Sequence, residues 1–193
     1  ATTALVRFEK YLKQAAHKPG GDWRLGEELY GEKLALATGG DLTPAKLLTR
    51  ANFDNGIACA MAMGCSTNAI IHLIAMSRRA GHAITLDDFD AASREVPVIA
   101  NIRPSGDRYL MEDFFYAGGL PALLERIRAH LKTGALTVNG RTIGQNIEGA
   151  QVYNDDVIRP LDNPIYAEGA LAVLRGNLAP DGVVIKPSAC APH

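Results

Sequence analysis

Apolar side chains recur every third or fourth residue through the first two thirds of the chain, a spacing typical of amphipathic helices. Thr43, Thr49 and Thr85 stand directly before such stretches, where a hydroxyl group caps the free N–H groups of a helix start. Gly and Pro interrupt the pattern and are expected to end helices. The predicted helices are Ala4–Ala15, Leu25–Thr38, a short helix from Pro44, a helix from Thr49 to Gly64, Ala69–Arg79, Leu86–Ser93, Glu112–Tyr116 and Pro121–Lys132.

Strand signals dominate after Gly134. Two short apolar runs flank Asn139-Gly140, a dipeptide typical of tight β-hairpins. The predicted strands are Pro97–Ile102, Leu136–Val138, Arg141–Ile143, Asp156–Arg159, Ala170–Leu174 and Val183–Lys186. We predict a domain boundary near Thr133–Leu136, and we expect the β-rich part to be incomplete because so few strands cannot close a barrel.

Composition narrows the class of protein. The 193 residues include 20 Lys and Arg against 21 Asp and Glu, 47% are hydrophobic, and the formal net charge is −1. These values are those of an ordinary globular protein and exclude a disordered chain or a strongly basic nucleic-acid binder. Neither a secretory signal pattern nor an apolar run of ~18 residues is present, so we expect a cytoplasmic protein with no membrane partner.

A polar loop between two apolar helices is the first candidate binding site. Gly64 permits a sharp turn, and Ser66, Thr67 and Asn68 offer hydrogen-bonding side chains at the start of the next helix. The free N–H groups and the positive dipole end there suit a carboxylate, a phosphate or sugar hydroxyls. The alternative is ordinary helix capping, for which the same residue types are standard.

A second candidate loop follows the predicted strand Pro97–Ile102. Ser105, Gly106 and Tyr109 lie in it, at the kind of position where α/β proteins bind ligands. Glu112 and Asp113 are candidates for contact with a metal or a substrate hydroxyl. The favoured interpretation is that they are acidic residues that stabilise the first turn of a helix.

The three cysteines form no recognisable metal-binding pattern. Cys59 and Cys65 are six residues apart, Cys190 is distant, and neither a C-x-x-C nor an H-x-x-x-H pair occurs. Three separate thiols are the favoured interpretation. The alternative is an iron–sulfur cluster with one open iron position.

Three long strings resemble the IlvD/Edd dehydratase family, which includes dihydroxy-acid dehydratases and sugar-acid dehydratases. They are Gly64–Leu124, Asp156–Pro164 (DVIRPLDNP) and Leu174–Gly182 (LRGNLAPDG). The resemblance begins near Asp41, and residues 1–40 match no part of the family. It implies an α/β fold class: residues 1–134 would be the helical C-terminal part of an α/β domain, and residues 135–193 the first part of a C-terminal β-barrel domain.

The resemblance also implies a chemistry. Family members remove water from a 2,3-dihydroxy acid with a [2Fe–2S] cluster, a magnesium ion and a serine base. The cluster cysteines lie in earlier motifs, and the serine and a metal-binding glutamate lie in later ones, so no catalytic residue is expected in this chain. It would then be a middle part of a longer protein and inactive alone. Cys65 stands where the family usually has a second glycine, which leaves it as a candidate substitute ligand.

The substrate expectation rests on Val184–Ala189, which resembles the sugar-acid branch of the family. We expect a pentonate or hexonate as substrate, in a dimer or tetramer. The alternatives are a dihydroxy-acid dehydratase of branched-chain amino-acid biosynthesis and a non-catalytic assembly module.

Overall fold

The computed structural model describes residues 6–10, 13, 26–40 and 42–190. Residues 6–10 and 13 are helical, and the rest of the predicted helix Ala4–Ala15 lies outside the described residues. In the part of the chain that the structure describes, no helix is both long and apolar enough to cross a membrane.

Helices dominate the first two thirds of the chain, as the apolar spacing predicts. They are α1 Gly26–Thr38, α2 Pro44–Leu47, α3 Arg50–Met63, α4 Asn68–Arg79, α5 Leu86–Glu95, α6 Met111–Tyr116, α7 Gly119–Arg126 and α8 Ile143–Ile147, with 3-10 turns at Arg128–His130 and Pro187–Ala189. The predicted hydroxyl caps at Thr43 and Thr49 are confirmed, and at Thr85 the backbone N donates to Asp88 Oδ2 at 2.8 Å. Thr43 Oγ1 accepts from Lys46 N at 3.4 Å, and Thr49 Oγ1 accepts from Asn52 N at 3.3 Å.

The regular sheet consists of two antiparallel strands, β1 Ala172–Gly176 and β2 Ala179–Ile185. Their pairing runs from Ala172 opposite Ile185 to Gly176 opposite Ala179. Both strands were predicted, with bounds displaced by a few residues. The described chain is therefore a helix-rich mixed structure, compatible with part of an α/β protein.

The predicted strand Pro97–Ile102 is wrong as a regular strand. The segment is extended and buried, but it forms only isolated bridges, from Val98 to Tyr166, Ala100 to Ile158 and Ile102 to Tyr109. Its backbone also bonds to a further segment, since Ile99 N donates a hydrogen bond to Ala62 O at 3.0 Å. A chain that meets a different partner at each residue cannot build a continuous ladder.

Three further element predictions need correction. Asp156–Arg159 forms one bridge, through Ile158, and no regular strand. The turn at Asn139-Gly140 is present, but its arms share one bridge, because Thr142 caps α8 and commits the second arm to a helix. The helix predicted over Pro121–Lys132 begins earlier, at Gly119, and ends at Arg126 before a 3-10 turn.

The hydrophobic core lies between α3, α5, α7 and the extended segment 98–102. Its largest fully buried side chains are Phe89, Ile57, Met61, Ile84, Ile99, Leu123, Ile127 and Ile158. Buried Asn55 of α3 fixes the chain that follows α7: its Nδ2 donates to Lys132 O at 3.1 Å and its Oδ1 accepts from Lys132 N at 2.6 Å. Both polar groups of the asparagine are thereby satisfied in a dry environment.

An ion-pair network joins the starts of α3 and α5. Arg50 bonds both Asp54 and Asp88, and its Nη1 donates to Ala83 O at 3.1 Å. Partial burial raises the pKa of the Asp88 carboxyl, but the hydrogen bond from Thr85 N–H and the Arg50 guanidinium outweigh it. The net pKa of Asp88 lies below its ordinary value.

Asp88 should therefore stabilise the fold at neutral pH and lose this effect in acid. Its folded-state pKa is lowered, so the stabilisation is present above the unfolded-state pKa and disappears as the pH falls through the folded-state value. We expect Asp88→Asn to lower the free energy of unfolding by about 1 kcal/mol at neutral pH and by much less near pH 3. Urea unfolding at both pH values measures the change in the free energy of unfolding. Asp87→Asn is the control, because Asp87 is adjacent and more exposed than Asp88. A deficit of equal size at the two pH values would contradict the assignment.

Candidate functional site

The end of α3 is where the two candidate loops and the C-terminal segment meet. Gly64 caps α3 with a φ of +69°, a left-handed conformation that glycine adopts without strain. Its carbonyl oxygen accepts two hydrogen bonds, one from Ser105 Oγ and one from Lys186 Nζ at 2.9 Å. Ser105 is 5% exposed. One buried carbonyl thus holds together three segments that are distant in sequence.

Glycine is required at position 64 for a second reason. A Cβ there would overlap the Ser105 side chain and would lie 3.6 Å from Val98 Cγ1. Cys65 makes no such approach: it avoids positive φ and packs half-buried against the hydrophobic core. The structure therefore accommodates a cysteine at position 65, and the close backbone approach is made by Gly64.

The other predicted residues of the first loop serve the start of α4. Ser66 Oγ accepts a hydrogen bond from Asn68 N at 3.3 Å, and Thr67 immediately precedes the helix. The Ser66 contact is of the kind that the capping interpretation predicts, whereas the Thr67 side chain makes no capping hydrogen bond. Ser66, Thr67 and Asn68 line neither of the two cavities described next.

A cavity of about 530 Å³ lies beside the second candidate loop, and we call it the polar cavity. Its polar lining includes Asn101, Ser105, Gly106, Asp107, Arg159, Tyr166 and Ser188. Of the predicted site residues, Ser105 and Gly106 belong to it. Gly106 is needed for packing, because a Cβ there would lie 2.6 Å from the Asn101 carbonyl carbon.

A neighbouring cavity of about 430 Å³ shares Ser105, Tyr166 and Ser188 with the polar cavity. Its own charged residues are Asp90, Arg94 and Glu168, and its floor is the apolar run Ala170–Leu174. Arg94 is already paired, since its Nε lies 3.1 Å from Asp90 Oδ2. The two cavities together form one groove between α5, the second loop and the C-terminal segment.

Tyr109, Glu112 and Asp113 lie outside both cavities. Tyr109 packs against the core with Arg108 over its ring, 5.1 Å from the ring centre. Asp113 Oδ2 accepts from Leu110 N at 2.8 Å, so this carboxylate stabilises the start of α6. Glu112 is exposed in the same first turn.

Arg159, Asn101, Tyr166 and Ser188 are site residues that the sequence did not single out. Arg159 lies in the string Asp156–Pro164, which served only to carry the family resemblance. More than 50 residues separate Ser105 from Arg159 along the chain, yet both line the polar cavity. The hydrogen bond of 2.8 Å from Arg159 N to Ile99 O brings Arg159 to the buried segment that precedes Ser105. No local sequence pattern predicts that residues so far apart in the chain line one cavity.

The described residues do not fit an iron–sulfur cluster or a magnesium site. Burial, reinforced by the charge of Cys65, raises the pKa of the Cys59 thiol to about 11, and burial also raises the pKa of Cys65. Cluster ligation needs several thiolates directed at one point. No three His, Cys, Asp or Glu side chains among the described residues are grouped to hold a metal ion.

Comparison with models of known protein families identifies the family of this chain. Residues 25–146 match the family model "Dihydroxy-acid/6-phosphogluconate dehydratase N-terminal", and residues 156–193 match the corresponding C-terminal model. The first match begins at residue 25, whereas the resemblance in the sequence is recognisable only from near Asp41. The chain belongs to the IlvD/Edd dehydratase family.

Named relatives in the family act on different acids. The L-arabinonate dehydratase of Rhizobium leguminosarum bv. trifolii is 45% identical over 91% of this chain, and the 6-deoxy-6-sulfo-D-gluconate dehydratase of Pseudomonas putida is 49% identical over 79%. The dihydroxy-acid dehydratase of Acaryochloris marina is 47% identical over 75%. The matched part spans 31%, 27% and 27% of these relatives, respectively.

Gly64→Ala should disrupt the contact between the two loops. Gly81 is the matched control, because its φ is +81° and a Cβ there would meet nothing within 4 Å. We expect Gly81→Ala to cost about 1 kcal/mol from backbone strain alone, and Gly64→Ala to cost at least about 2 kcal/mol more because Ser105 must move. Urea unfolding of both variants measures the difference. Equal destabilisation would contradict the close approach.

Proposed function

We propose that the protein is a hydro-lyase that dehydrates a 2,3-dihydroxy sugar acid, such as a pentonate or hexonate, to a 2-keto-3-deoxy acid. In this reaction C2 loses a proton, C3 loses its hydroxyl group as water, and the enol product rearranges to the keto acid. The observation that carries the proposal is family membership across both matched regions. The names of two sugar-acid dehydratases among the relatives support the substrate class.

A dihydroxy-acid dehydratase is the second candidate, and a similarly strong relative supports it. The string Val184–Ala189, with its resemblance to the sugar-acid branch, favours the first candidate. Lys186 of this string bonds the Gly64 carbonyl, and Ser188 lines both cavities. The segment that favours sugar acids is therefore also part of the candidate site.

The family resemblance implies a [2Fe–2S] cluster and magnesium, with ligands and a catalytic serine outside these 193 residues. We propose that this chain contributes substrate-positioning residues: Ser105 and Gly106, which line the polar cavity, and the loop Ser66–Asn68 beside them. Tyr109, Glu112 and Asp113 complete the proposed set at its periphery.

The proposal includes an architecture and a setting. Residues 1–134 would end an α/β domain, and residues 135–193 would begin a β-barrel-like domain, for which the β1–β2 hairpin is supporting evidence. A cytoplasmic dimer or tetramer is the setting that the family resemblance implies. A non-catalytic assembly module is the competing proposal.

A chimeric enzyme tests the proposed reaction. The aligned segment of the Rhizobium leguminosarum L-arabinonate dehydratase would be replaced by the matching residues of this chain. We expect the chimera to convert L-arabinonate to its 2-keto-3-deoxy acid with kcat/KM within about ten-fold of the intact enzyme. The 193-residue chain alone is expected to give no product.

The control is a chimera that carries the corresponding segment of the Acaryochloris marina dihydroxy-acid dehydratase. Both chimeras are assayed with L-arabinonate and with 2,3-dihydroxy-3-methylbutanoate. Preference of our chimera for the branched acid would favour the second candidate. A folded chimera that turns over neither acid would favour the non-catalytic module.

A further inference from the structure

Arg159 is a cationic side chain for which the described protein supplies no counter-ion. Its Nε is buried and has no hydrogen-bond partner among the described residues. The ion pairs formed within the described part of the chain involve Arg50, Arg94, Arg126, Arg128 and Arg175, and Lys13, but not Arg159. A buried guanidinium N–H without an acceptor is costly, so this arrangement calls for one.

Hydrogen bonds fix Arg159 and its neighbour Asn101 in place. Its backbone N donates to Ile99 O at 2.8 Å, which fixes the residue beside the buried segment 98–102. Asn101, only 6% exposed, is held by its Nδ2, which donates to Asp156 O at 3.3 Å. Both residues line the polar cavity, and so do Ser105 and Ser188. Rigid polar groups around a cation are what a small-molecule site needs.

The charge balance of the polar cavity favours an anion. Arg159 is its only cationic side chain and Asp107 its only carboxylate among the described residues. Asp107 is exposed and forms no ion pair with Arg159 in the described chain. The Asp107 backbone carbonyl is occupied by Arg103 Nε at 3.0 Å, which brings a second positive charge to the same turn.

We propose that the polar cavity is an oxyanion-binding site in which Arg159 is the charged anchor. A guanidinium binds carboxylate and phosphate oxygens with charge-assisted hydrogen bonds. Asn101, Ser105 and Ser188 offer hydrogen bonds to the anion or to hydroxyl groups next to it. The cavity, at about 530 Å³, has the volume of a typical small-molecule site. Anion binding here does not require that the protein catalyse dehydration.

Binding to the purified 193-residue chain tests the site, at constant ionic strength and with NMR titration as the readout. The probes are L-arabinonate, inorganic phosphate and the neutral analogue L-arabinitol. We expect saturable binding of at least one anion and at least ten-fold weaker binding of L-arabinitol. The tighter of the two anions tells whether the site takes a sugar-acid carboxylate or a tetrahedral oxyanion.

Two cavity variants and a control locate the binding. Arg159→Gln removes the anchor, and Ser188→Asp places a repelling charge at an exposed position of the cavity wall. Each should weaken binding of the anion at least ten-fold. Arg94→Gln, with the same charge change in the neighbouring cavity, should leave the affinity within about two-fold. Circular dichroism confirms that each variant is folded.

Three results would overturn the proposal. They are the absence of saturable binding of either anion by the folded wild-type chain, unchanged affinity in folded Arg159→Gln and Ser188→Asp, and equal loss in Arg94→Gln. Anion binding that depends on Arg159, found together with an inactive chimera, would refute the proposed reaction and leave the oxyanion site intact.

Discussion

The carbonyl group of Gly64 is the point on which the candidate site depends. It ends α3, and its oxygen receives Ser105 from the second loop and Lys186 from the segment after β2. A buried carbonyl that lost both donors would carry the full cost of desolvation. The contact therefore stabilises the fold as long as at least one of the two donors stays in place. Because Ser105 also lines both cavities, the shape of the groove follows from this one contact.

This arrangement joins the two regions that match separate family models. Gly64 and Ser105 belong to the first match, and Lys186 and Ser188 to the second. A site lined from both regions is sensitive to the C-terminal string whose resemblance favours sugar acids. Variation in that string can therefore change the wall of the cavity without changing the helical framework beneath it.

Local rules predicted the helices of this chain well. Thr43, Thr49 and the Thr85–Asp88 pair mark helix starts, and the capping hydrogen bonds are made within three residues. Gly64 was expected to allow a sharp turn and does so. Such features depend on neighbours in sequence, which is why a sequence can reveal them.

Long-range contacts were the features that the sequence could not predict. The segment 98–102 has the composition of a buried strand, but each of its bridges goes to a separate part of the chain. Nothing in the sequence distinguishes Arg159 from the other polar residues, whereas in the fold it lines the same cavity as Asn101. From the sequence, Asp113 was a candidate either for ligand contact or for stabilising a helix start. In the structure its carboxylate accepts a hydrogen bond from Leu110 N, which is a helix-capping contact.

A double-mutant cycle between Ser105→Ala and Lys186→Met tests most directly whether the Gly64 carbonyl joins the two loops and the C-terminal segment. Free energies of unfolding in urea would be measured for the wild type, both single variants and the double variant. Each single variant leaves the carbonyl one donor, and the double variant leaves none. We predict that the double variant loses more than the sum of the single losses, by about 1 kcal/mol. Strict additivity would contradict this account.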